Sequence, residues 1–574
     1  MLLYSTIIIL LSNAVNNRRD SSMLYSRIAM ITLIYSCILI YSNTYINFFT
    51  KGISLYNGLL TYKIFIAVIS IVIFIITTII LGIISFNKNN YTFLTNGLID
   101  EEDKKELIES KDILEYPLII LFCITGAIFL ISSTDIISMF IALELQSYGL
   151  YLICSIYRNS EESVNAGLTY FLLGGLSSCI ILLGQSYIYI NTGSTNIENI
   201  YIMKNITESY YSCEDIYVNY PSLENSLNLL NYIQYSLIIM FIGFSFKISA
   251  APFHFWAPDV YDAIPTIVTA FVAIIAKISI FVLLLQLIQY TITEYTYTSW
   301  INIIIISSAL SLSIGSLLGL VQYRIKRLFA YSTISHIGFI LLSLSINSYE
   351  SIQAFFFYLI QYSFSNLNAF IILIAIGYNL YWYTWKDDSV SYRILKDLNN
   401  SPIQLISQLK GYFYINPILS ISFIITLFSF IGVPPLIGFF AKQMILTTAL
   451  DNGYIFISLL AILTSVISAV YYLIIVKNIF SDEIIYEKKL EDEIEYIEIR
   501  IGDDSHEYYK VDKRYINAEM DWDIQIPIAK PIIELKPTSL ASSMTIPISI
   551  LSLLLLSFMF YNIESSLNII IQLD

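Results

Sequence analysis

Charged residues are scarce in this sequence of 574 residues, because Asp, Glu, Lys and Arg together make up only 13% of it. A soluble domain carries about a quarter charged residues, so the chain has roughly half the charge that a water-facing surface needs. Apolar residues reach 56% and fall into runs long enough to cross a bilayer, which takes about 20 residues each. The composition excludes a soluble enzyme, a nucleic-acid-binding protein and a disordered chain, and it predicts an all-α polytopic membrane protein.

Cysteine and glycine are also in short supply. The five cysteines, Cys37, Cys123, Cys154, Cys179 and Cys213, are scattered and form no CxxC pair. They therefore indicate no disulfide framework, zinc site or iron–sulfur cluster, and we expect small apolar residues inside helices. The 21 glycines are outnumbered by 46 tyrosines and by 34 phenylalanines, although small residues normally bring membrane helices close together.

The apolar runs predict about 14 spanning helices. They lie at 2–16, 27–48, 62–86, 116–133, 135–157, 164–190, 233–256, 265–290, 299–321, 328–347, 352–382, 415–448, 454–479 and 541–562. The first run lacks the basic n-region of a signal peptide, so we expect it to be retained as a helix.

The basic residues give the orientation, because Lys and Arg accumulate on the inner side of a membrane. If the N-terminus is outside, 24 of the 30 basic residues fall in inner loops. Outer loops hold only Lys51, Lys63 and Lys204. The last three, Lys247, Lys277 and Lys442, fall inside predicted spans. An even number of spans then places both termini on the outer side.

A long acidic segment, 480–540, separates the last two predicted spans. Residues 481–526 contain 15 acidic and 6 basic side chains, which does not conflict with an inner location because the orientation rule counts Lys and Arg. The stretch EIEYIEIRI (493–501) alternates with period two and is followed by the turn signal GDDS and by HEYYKVDKRYI. This pattern predicts a short β-hairpin, with a role in partner contact or solvation and no chemistry of its own.

Four ionisable residues lie well inside predicted spans, where an ionised group costs at least ~2.5–3.5 kcal/mol. Glu144 is nine residues into the fifth span, about 14 Å deep at 1.5 Å per residue. Lys247, Lys277 and Lys442 lie in the seventh, eighth and twelfth spans. We expect a Glu144–Lys247 pair and two further lysines that load and release protons, because burial disfavours the charged form of a lysine. A structural ion pair or lysines that snorkel to the interface are the alternatives.

Prolines predict where two of these spans are broken. Pro252 follows Lys247 by five residues, and Pro434 and Pro435 precede Lys442. A proline removes an intrahelical hydrogen bond, which a membrane tolerates where the broken backbone lines a polar cavity. Two such spans five apart have opposite orientations, as in an inverted repeat with ion sites at the breaks. The predicted domains are an N-terminal three-helix segment (1–86), two five-helix repeats (116–290 and 299–479), the acidic loop (480–540) and a C-terminal helix (541–574).

Two histidines extend the set of candidate residues. His254 follows Lys247 by seven residues and would share its face on an unbroken helix. It lies near the inner end of the span, so a proton entrance and a structural role are both open. His336 lies in the tenth span, between Lys277 and Lys442 in sequence. A histidine can relay protons near neutral pH, and the alternative for His336 is a hydrogen-bonded packing residue.

Three motifs carry a resemblance to a known family. They are KISAAPFHFWAPDVYDAIPTIVTAFVAIIAKISIF (247–281), RIKRLFAYSTISHIGF (324–339) and FIGVPPLIGFFAK (430–442). The chain resembles the antiporter-like membrane subunits of proton-pumping NADH:ubiquinone oxidoreductase, respiratory complex I, over about 116–480. The first motif is most similar to subunit two of the mitochondrial enzyme, the counterpart of the bacterial N-type subunit.

The resemblance implies roles for the buried charges and a place in the cell. The family's proton-translocating residues fall on Glu144, Lys247, Lys277, His336 and Lys442. It implies no NADH, flavin, iron–sulfur or ubiquinone site in this chain, since those cofactors are expected in partner subunits. The implied partners are the other membrane and peripheral subunits of complex I, neighbouring antiporter-like subunits and lipids, with no nucleic acid. The implied location is the mitochondrial inner membrane, with both termini on the intermembrane-space side.

Two other functions fit the same motifs. A stand-alone or Mrp-type cation/proton antiporter would share the fold and the buried charges. A structural spacer that holds neighbouring pumps in register is the second alternative. The four intramembrane charges argue against a spacer, which would gain nothing from the free energy that their burial costs.

Overall fold

The computed structural model describes residues 1–15, 22–44, 52–86, 115–157, 160–211, 223–291, 300–380, 383–385, 403–481, 486–488, 494–500 and 506–512. These residues are mostly helical, and nine of the helices they form are long and apolar enough to cross a membrane. The protein is therefore a multi-pass membrane protein. The span predicted at 541–562 lies outside the described residues, so the count of 14 stays a prediction.

The described residues up to 291 form ten helices and one hairpin. The helices are α1 (Leu2–Val15), α2 (Ser22–Thr44), α3 (Ile64–Phe86), α4 (Tyr116–Ser132), α5 (Ile136–Cys154), α6 (Glu161–Thr192), α7 (Ile197–Tyr211), α8 (Leu223–Ile248), α9 (Trp256–Ala263) and α10 (Thr266–Thr291). The hairpin pairs β1 (Ile53–Leu55) with β2 (Leu60–Tyr62) ahead of α3.

The sequence predicts the seventh span at 233–256, and these bounds are wrong. Helix α8 ends at Ile248, where Ser249 adopts a left-handed φ of 66°. Pro252 follows and has no N–H to continue a helical ladder. The chain then turns through Phe253 and resumes as the short helix α9 at Trp256.

The remaining described residues form seven further α-helices. They are α11 (Trp300–Gly319), α12 (Ile325–Ile346), α13 (Tyr349–Leu380), α14 (Tyr412–Ile415), α15 (Pro417–Ile431), α16 (Ile437–Asp451) and α17 (Ile455–Ile479), with a 3-10 turn at Ile406–Leu409. The predicted span 415–448 is thus two helices. Helix α15 ends where Gly432 takes a left-handed φ of 84° and donates its N–H to the Phe428 carbonyl at 2.9 Å, which is a common helix C-cap.

The hairpin predicted in the acidic segment is present. Strands β5 (Ile494–Arg500) and β6 (His506–Asp512) pair antiparallel, in a register that joins Ile494 to Asp512 and Arg500 to His506. A second short pairing joins β3 (Tyr383–Trp385) to β4 (Tyr486–Lys488). The segment before α14 and the segment after α17 therefore meet.

Three helices form the centre of the bundle. Helices α10, α12 and α13 are buried along almost their whole lengths, whereas α2, α6 and α17 leave most of their spans exposed. The central helices carry apolar residues around most of their circumference, as expected for buried helices. Their buried hydroxyls, such as those of Thr269, Ser332 and Ser343, donate to carbonyls three residues earlier, so these polar groups are satisfied within their own helices.

Several of the glycines lie where two helices approach closely. A Cβ atom at Gly315 of α11 would lie 2.6 Å from the Ser335 nitrogen of α12. A Cβ atom at Gly338 of α12 would lie 2.6 Å from the Ser311 hydroxyl of α11. Each helix of this pair thus supplies one glycine to the contact, as close packing of membrane helices requires.

Gly438 gives the first testable prediction. Its hydrogen faces the Ser429 carbonyl, and an added Cβ would overlap that oxygen. Gly438→Ala is therefore expected to lower the stability of the fold by about 1–3 kcal/mol or more, because the contact becomes overpacked. The measurement is heat-induced dissociation of the purified assembly. Gly175→Ala is the matched control, because a Cβ there meets nothing within 4 Å. Equal midpoints for both variants would contradict the packing of α15 against α16.

Candidate functional site

Glu144 and Lys247 form an ion pair between α5 and α8. The Lys247 Nζ lies 3.2 Å from the Glu144 Oε1. Ser178 of α6 donates to the same oxygen at 2.5 Å, and Ser147 donates to Oε2 at 3.4 Å. The side chains are 7% exposed for the lysine and 16% for the glutamate, so the pair lies at the margin of the buried region. Lys247 occupies the last turn of α8, directly before the break.

Lys277 lies at the middle of α10 and is only 2% exposed. Its Nζ is 3.2 Å from the Thr333 Oγ1 of α12 and 5.5 Å from the centre of the Tyr261 ring. Among the described residues, no carboxylate lies within 4 Å of this ammonium, in contrast to Lys247. A hydroxyl and an aromatic face stabilise a charge less than a carboxylate does, so Lys277 can lose its proton without breaking an ion pair.

The short helix α9 contacts both of these lysine sites. Its Trp256 donates from Nε1 to the Phe246 carbonyl at 2.8 Å, next to Lys247. Its Tyr261 carries the ring over which Lys277 lies. Helix α9 therefore links the end of α8 to the surroundings of Lys277.

A basic cluster at the start of α12 holds α9 in place. Lys326 is buried and donates to two backbone carbonyls at the end of α9, at 2.9 and 2.7 Å. Arg324 binds Asp262 at 2.6 Å, and Arg327 pairs with Asp259. A cation at a helix C-terminus satisfies carbonyls that have no partner within the helix. In the sequence these cations stand out only as inner-loop charge, although the one-turn spacing of Asp259 and Asp262 was a usable signal.

His336 lies in α12, one turn after Thr333, and is buried. Its Nδ1 is 2.6 Å from the Tyr358 hydroxyl of α13, and its Nε2 is 3.5 Å from the Tyr472 hydroxyl of α17. Each hydroxyl can donate and accept, so both ring nitrogens have a partner able to exchange a proton. Nothing in the sequence separated these two tyrosines from the other tyrosines of the chain.

Lys442 of α16 binds the helix break that precedes it. Its Nζ donates to the carbonyls of Phe430 and Ile431, at 2.8 and 3.0 Å. These carbonyls end α15, just before Pro434 and Pro435, and have no N–H partner within their own helix. The Phe430 ring stacks on Tyr472, with centroids 5.6 Å apart, which brings the His336 and Lys442 surroundings into contact.

His254 lies apart from this set. The helix is broken ahead of Pro252, since α8 ends at Ile248, so His254 does not share the helical face with Lys247 that an unbroken helix would give it. The histidine sits in the turn between Pro252 and α9, is buried, and has no hydrogen-bond partner for Nδ1 among the described residues. Its ring lies 4.5 Å from that of Phe255.

The ionisable groups of the site differ in how they can change their charge. The Glu144–Lys247 pair can change its charge when the two side chains separate. Lys277, His336 and Lys442 sit among hydroxyls, carbonyls and rings, without a carboxylate within ion-pair distance among the described residues. Groups of this kind can gain and lose protons inside a low-dielectric core, which is the property that a proton path needs.

Comparison with known proteins gives a consistent family. The family model described as NADH:quinone oxidoreductase/Mrp antiporter, TM matches residues 133–468, more than half of the chain. The NADH-ubiquinone oxidoreductase chain 2 of Rhizopus oryzae is 42% identical over 493 residues, covering 84% of this chain and 86% of that protein.

Solved structures show the same fold. A chain of respiratory complex I from Thermus thermophilus with bound aureothin superposes with a TM-score of 0.62 and 24% identity, over 85% of this chain and 91% of that one. A chain of the Mrp complex from Dietzia sp. DQ12-45-1b gives a TM-score of 0.65 and 16% identity, over 100% of this chain and 95% of that one. The fold alone is therefore common to both kinds of complex and does not separate them.

Proposed function

Since this chain belongs to the NADH:quinone oxidoreductase/Mrp antiporter family of membrane subunits, we propose that it is the chain 2 subunit of respiratory complex I and that it translocates protons. The observation that carries proton translocation is the set of buried groups Lys277, His336 and Lys442, together with the Glu144–Lys247 pair at the margin of the buried region. As a non-redox subunit of the NADH:ubiquinone oxidoreductase of the mitochondrial inner membrane, it would respond to electron transfer in partner subunits that hold NADH, flavin, iron–sulfur clusters and ubiquinone.

The proposed route runs from α10 through α12 to α16. Protons enter from the inner side to Lys277, pass through His336 to Lys442, and leave on the outer side. The Thr333 hydroxyl at Lys277 and the tyrosines at His336 supply groups that exchange protons along this direction. Lys247 sets the charge near Lys277: it favours proton release from Lys277 when it moves closer and favours retention when it withdraws to Glu144.

An inverted repeat accounts for the two broken helices. We propose that 116–290 and 299–479 are the two repeats, with Pro252 breaking one and Pro434 and Pro435 breaking the other. The end of α8 carries Lys247 itself, whereas the end of α15 accepts Lys442 from α16. Ion sites at helix discontinuities are typical of transporters built this way.

The complex in which the native protein migrates distinguishes a complex I subunit from an Mrp-type antiporter. The 42% identity to a chain 2 subunit over 84% of the chain favours complex I, since the fold is common to both. After extraction in mild detergent, the protein is expected to migrate with flavoprotein partners that oxidise NADH. A small complex without NADH oxidation would support the antiporter and overturn the assignment to complex I.

A further inference from the structure

Helices α13 and α15 share a buried polar contact that the proposed route does not use. The Gln361 Nε2 of α13 donates to the Ser429 Oγ of α15 at 3.2 Å and lies 3.5 Å from the Ser365 Oγ. All three side chains are buried. In a membrane interior, buried polar groups of this kind are expensive and mark functional positions.

Helices α13 and α15 lie side by side on one face of α12. The ring of Phe329 in α12 lies against Phe370 of α13 and against Phe423 and Phe430 of α15. As consecutive predicted spans joined by a loop on the inner side, α13 and α15 run antiparallel. Residues spaced by three, four and seven share one helical face.

Starting from the Gln361–Ser429 contact, helix geometry places Ser365 near the level of Thr426 and Asn368 near the level of Ser422. All six side chains are buried, and we name this set the polar ladder.

Asn368 is the residue of the polar ladder that lacks partners. It is 0% exposed, and neither its Nδ2 nor its Oδ1 has a hydrogen-bond partner among the described residues. An unsatisfied buried amide of this kind costs about 1–3 kcal/mol, which a bound water molecule relieves when two or more polar groups surround it.

The hydroxyls of the polar ladder can accept hydrogen bonds from such a water molecule. Ser365, Ser422 and Thr426 donate to carbonyls of their own helices at 2.8, 2.8 and 2.6 Å. Each hydroxyl oxygen still has lone pairs that accept. The ladder therefore offers acceptors at successive levels, beside an amide whose two N–H groups need them.

We propose that the polar ladder binds water at Asn368 and forms an approach from the inner side to Lys442. Its inner end, Ser422, is five residues into α15, about 8 Å along the helix, and α15 follows a loop predicted to be inner. Its other end, Ser429, directly precedes Phe430, whose carbonyl accepts Lys442. Lys442 is then supplied through the polar ladder as well as from Lys277, and full pumping needs both supplies. This role in loading rests on the proposed function, whereas the water site does not.

The water site is tested without reference to pumping. In the parent complex, Asn368→Cys is expected to react with a small charged thiol reagent, added on the inner side, at least tenfold faster than Ala369→Cys. Ala369 is the matched control, because it is the next residue and equally buried but points about 100° away. Equal rates would overturn the water site, and so would a cryo-EM map that shows Asn368 against protein atoms alone.

The loading role is tested by turnover. Asn368→Leu keeps the volume and removes the polar group, so proton-coupled NADH:ubiquinone turnover is expected to fall about tenfold. Asn368→Ser retains a hydroxyl that can hold water and is expected to stay within twofold of the unmodified complex. Normal turnover in Asn368→Leu would overturn the loading role while the labelling result still decides the water site. Failure of the proposed function itself would instead appear as normal pumping in Lys277→Met.

Discussion

Glu144→Gln is expected to lower proton pumping and the coupled reduction of quinone by roughly tenfold or more, with assembly intact. The variant keeps the shape of the side chain and removes the charge that Lys247 meets at 3.2 Å. The neutral amide offers Lys247 no charge to pair with, so the state in which Lys247 is held away from Lys277 is lost. The pair could then no longer alternate between joined and separated states. Pumping and NADH oxidation in membranes measure the effect.

Two variants accompany Glu144→Gln. Glu144→Asp keeps the carboxylate and is expected to recover much of the activity. Glu161→Gln removes the same charge from an exposed position at the start of α6 and is expected to have no effect. If Glu161→Gln lowered pumping as much as Glu144→Gln, the effect would be one of net charge, and the role of the ion pair would be wrong.

Lys277→Met is expected to lower proton movement through this subunit and to slow coupled quinone reduction. Lys277 is 2% exposed and lies between Thr333 and Tyr261. Methionine fits the apolar surroundings and has no proton to release. Since the ammonium has no carboxylate partner within 4 Å among the described residues, its removal leaves no buried acid unpaired, and we expect normal assembly.

Arginine separates a titrating role of Lys277 from a structural one. Lys277→Arg keeps the charge but cannot release its proton, so it is expected to fail as Lys277→Met does. A purely structural cation would be rescued by arginine. Lys477→Met, at the exposed end of α17, is the control for loss of one positive charge and is expected to pump normally.

Hydrophobic runs were sufficient to locate most helices, because a spanning helix needs a long apolar stretch whatever its neighbours are. The predicted helix boundaries were wrong at the helix breaks, where the apolar run continues past the end of the helix. Around Pro252 the run stays apolar to Trp256, and only the left-handed Ser249 and the missing proline N–H end α8 at Ile248. The same event put His254 into a turn, away from the face of Lys247.

The charged residues of the site were visible in the sequence because a charge inside an apolar run stands out. Their partners were not visible, since Thr333, Tyr358 and Tyr472 are ordinary helical residues brought together only by the packing of α12, α13 and α17. Asn368 does not stand out in the sequence for a related reason. A single asparagine in an apolar helix indicates a polar site only once the packing of an antiparallel neighbour, here α15, is known.

Proton stoichiometry tests the central claim most directly. The parent complex, reconstituted into vesicles, is supplied with NADH and a quinone, and the protons moved per NADH oxidised are counted. With Lys277→Met, the number is expected to fall below that of the unmodified complex, while Lys477→Met leaves it unchanged. An unchanged number of protons per NADH in the Lys277→Met complex would contradict proton translocation through this chain.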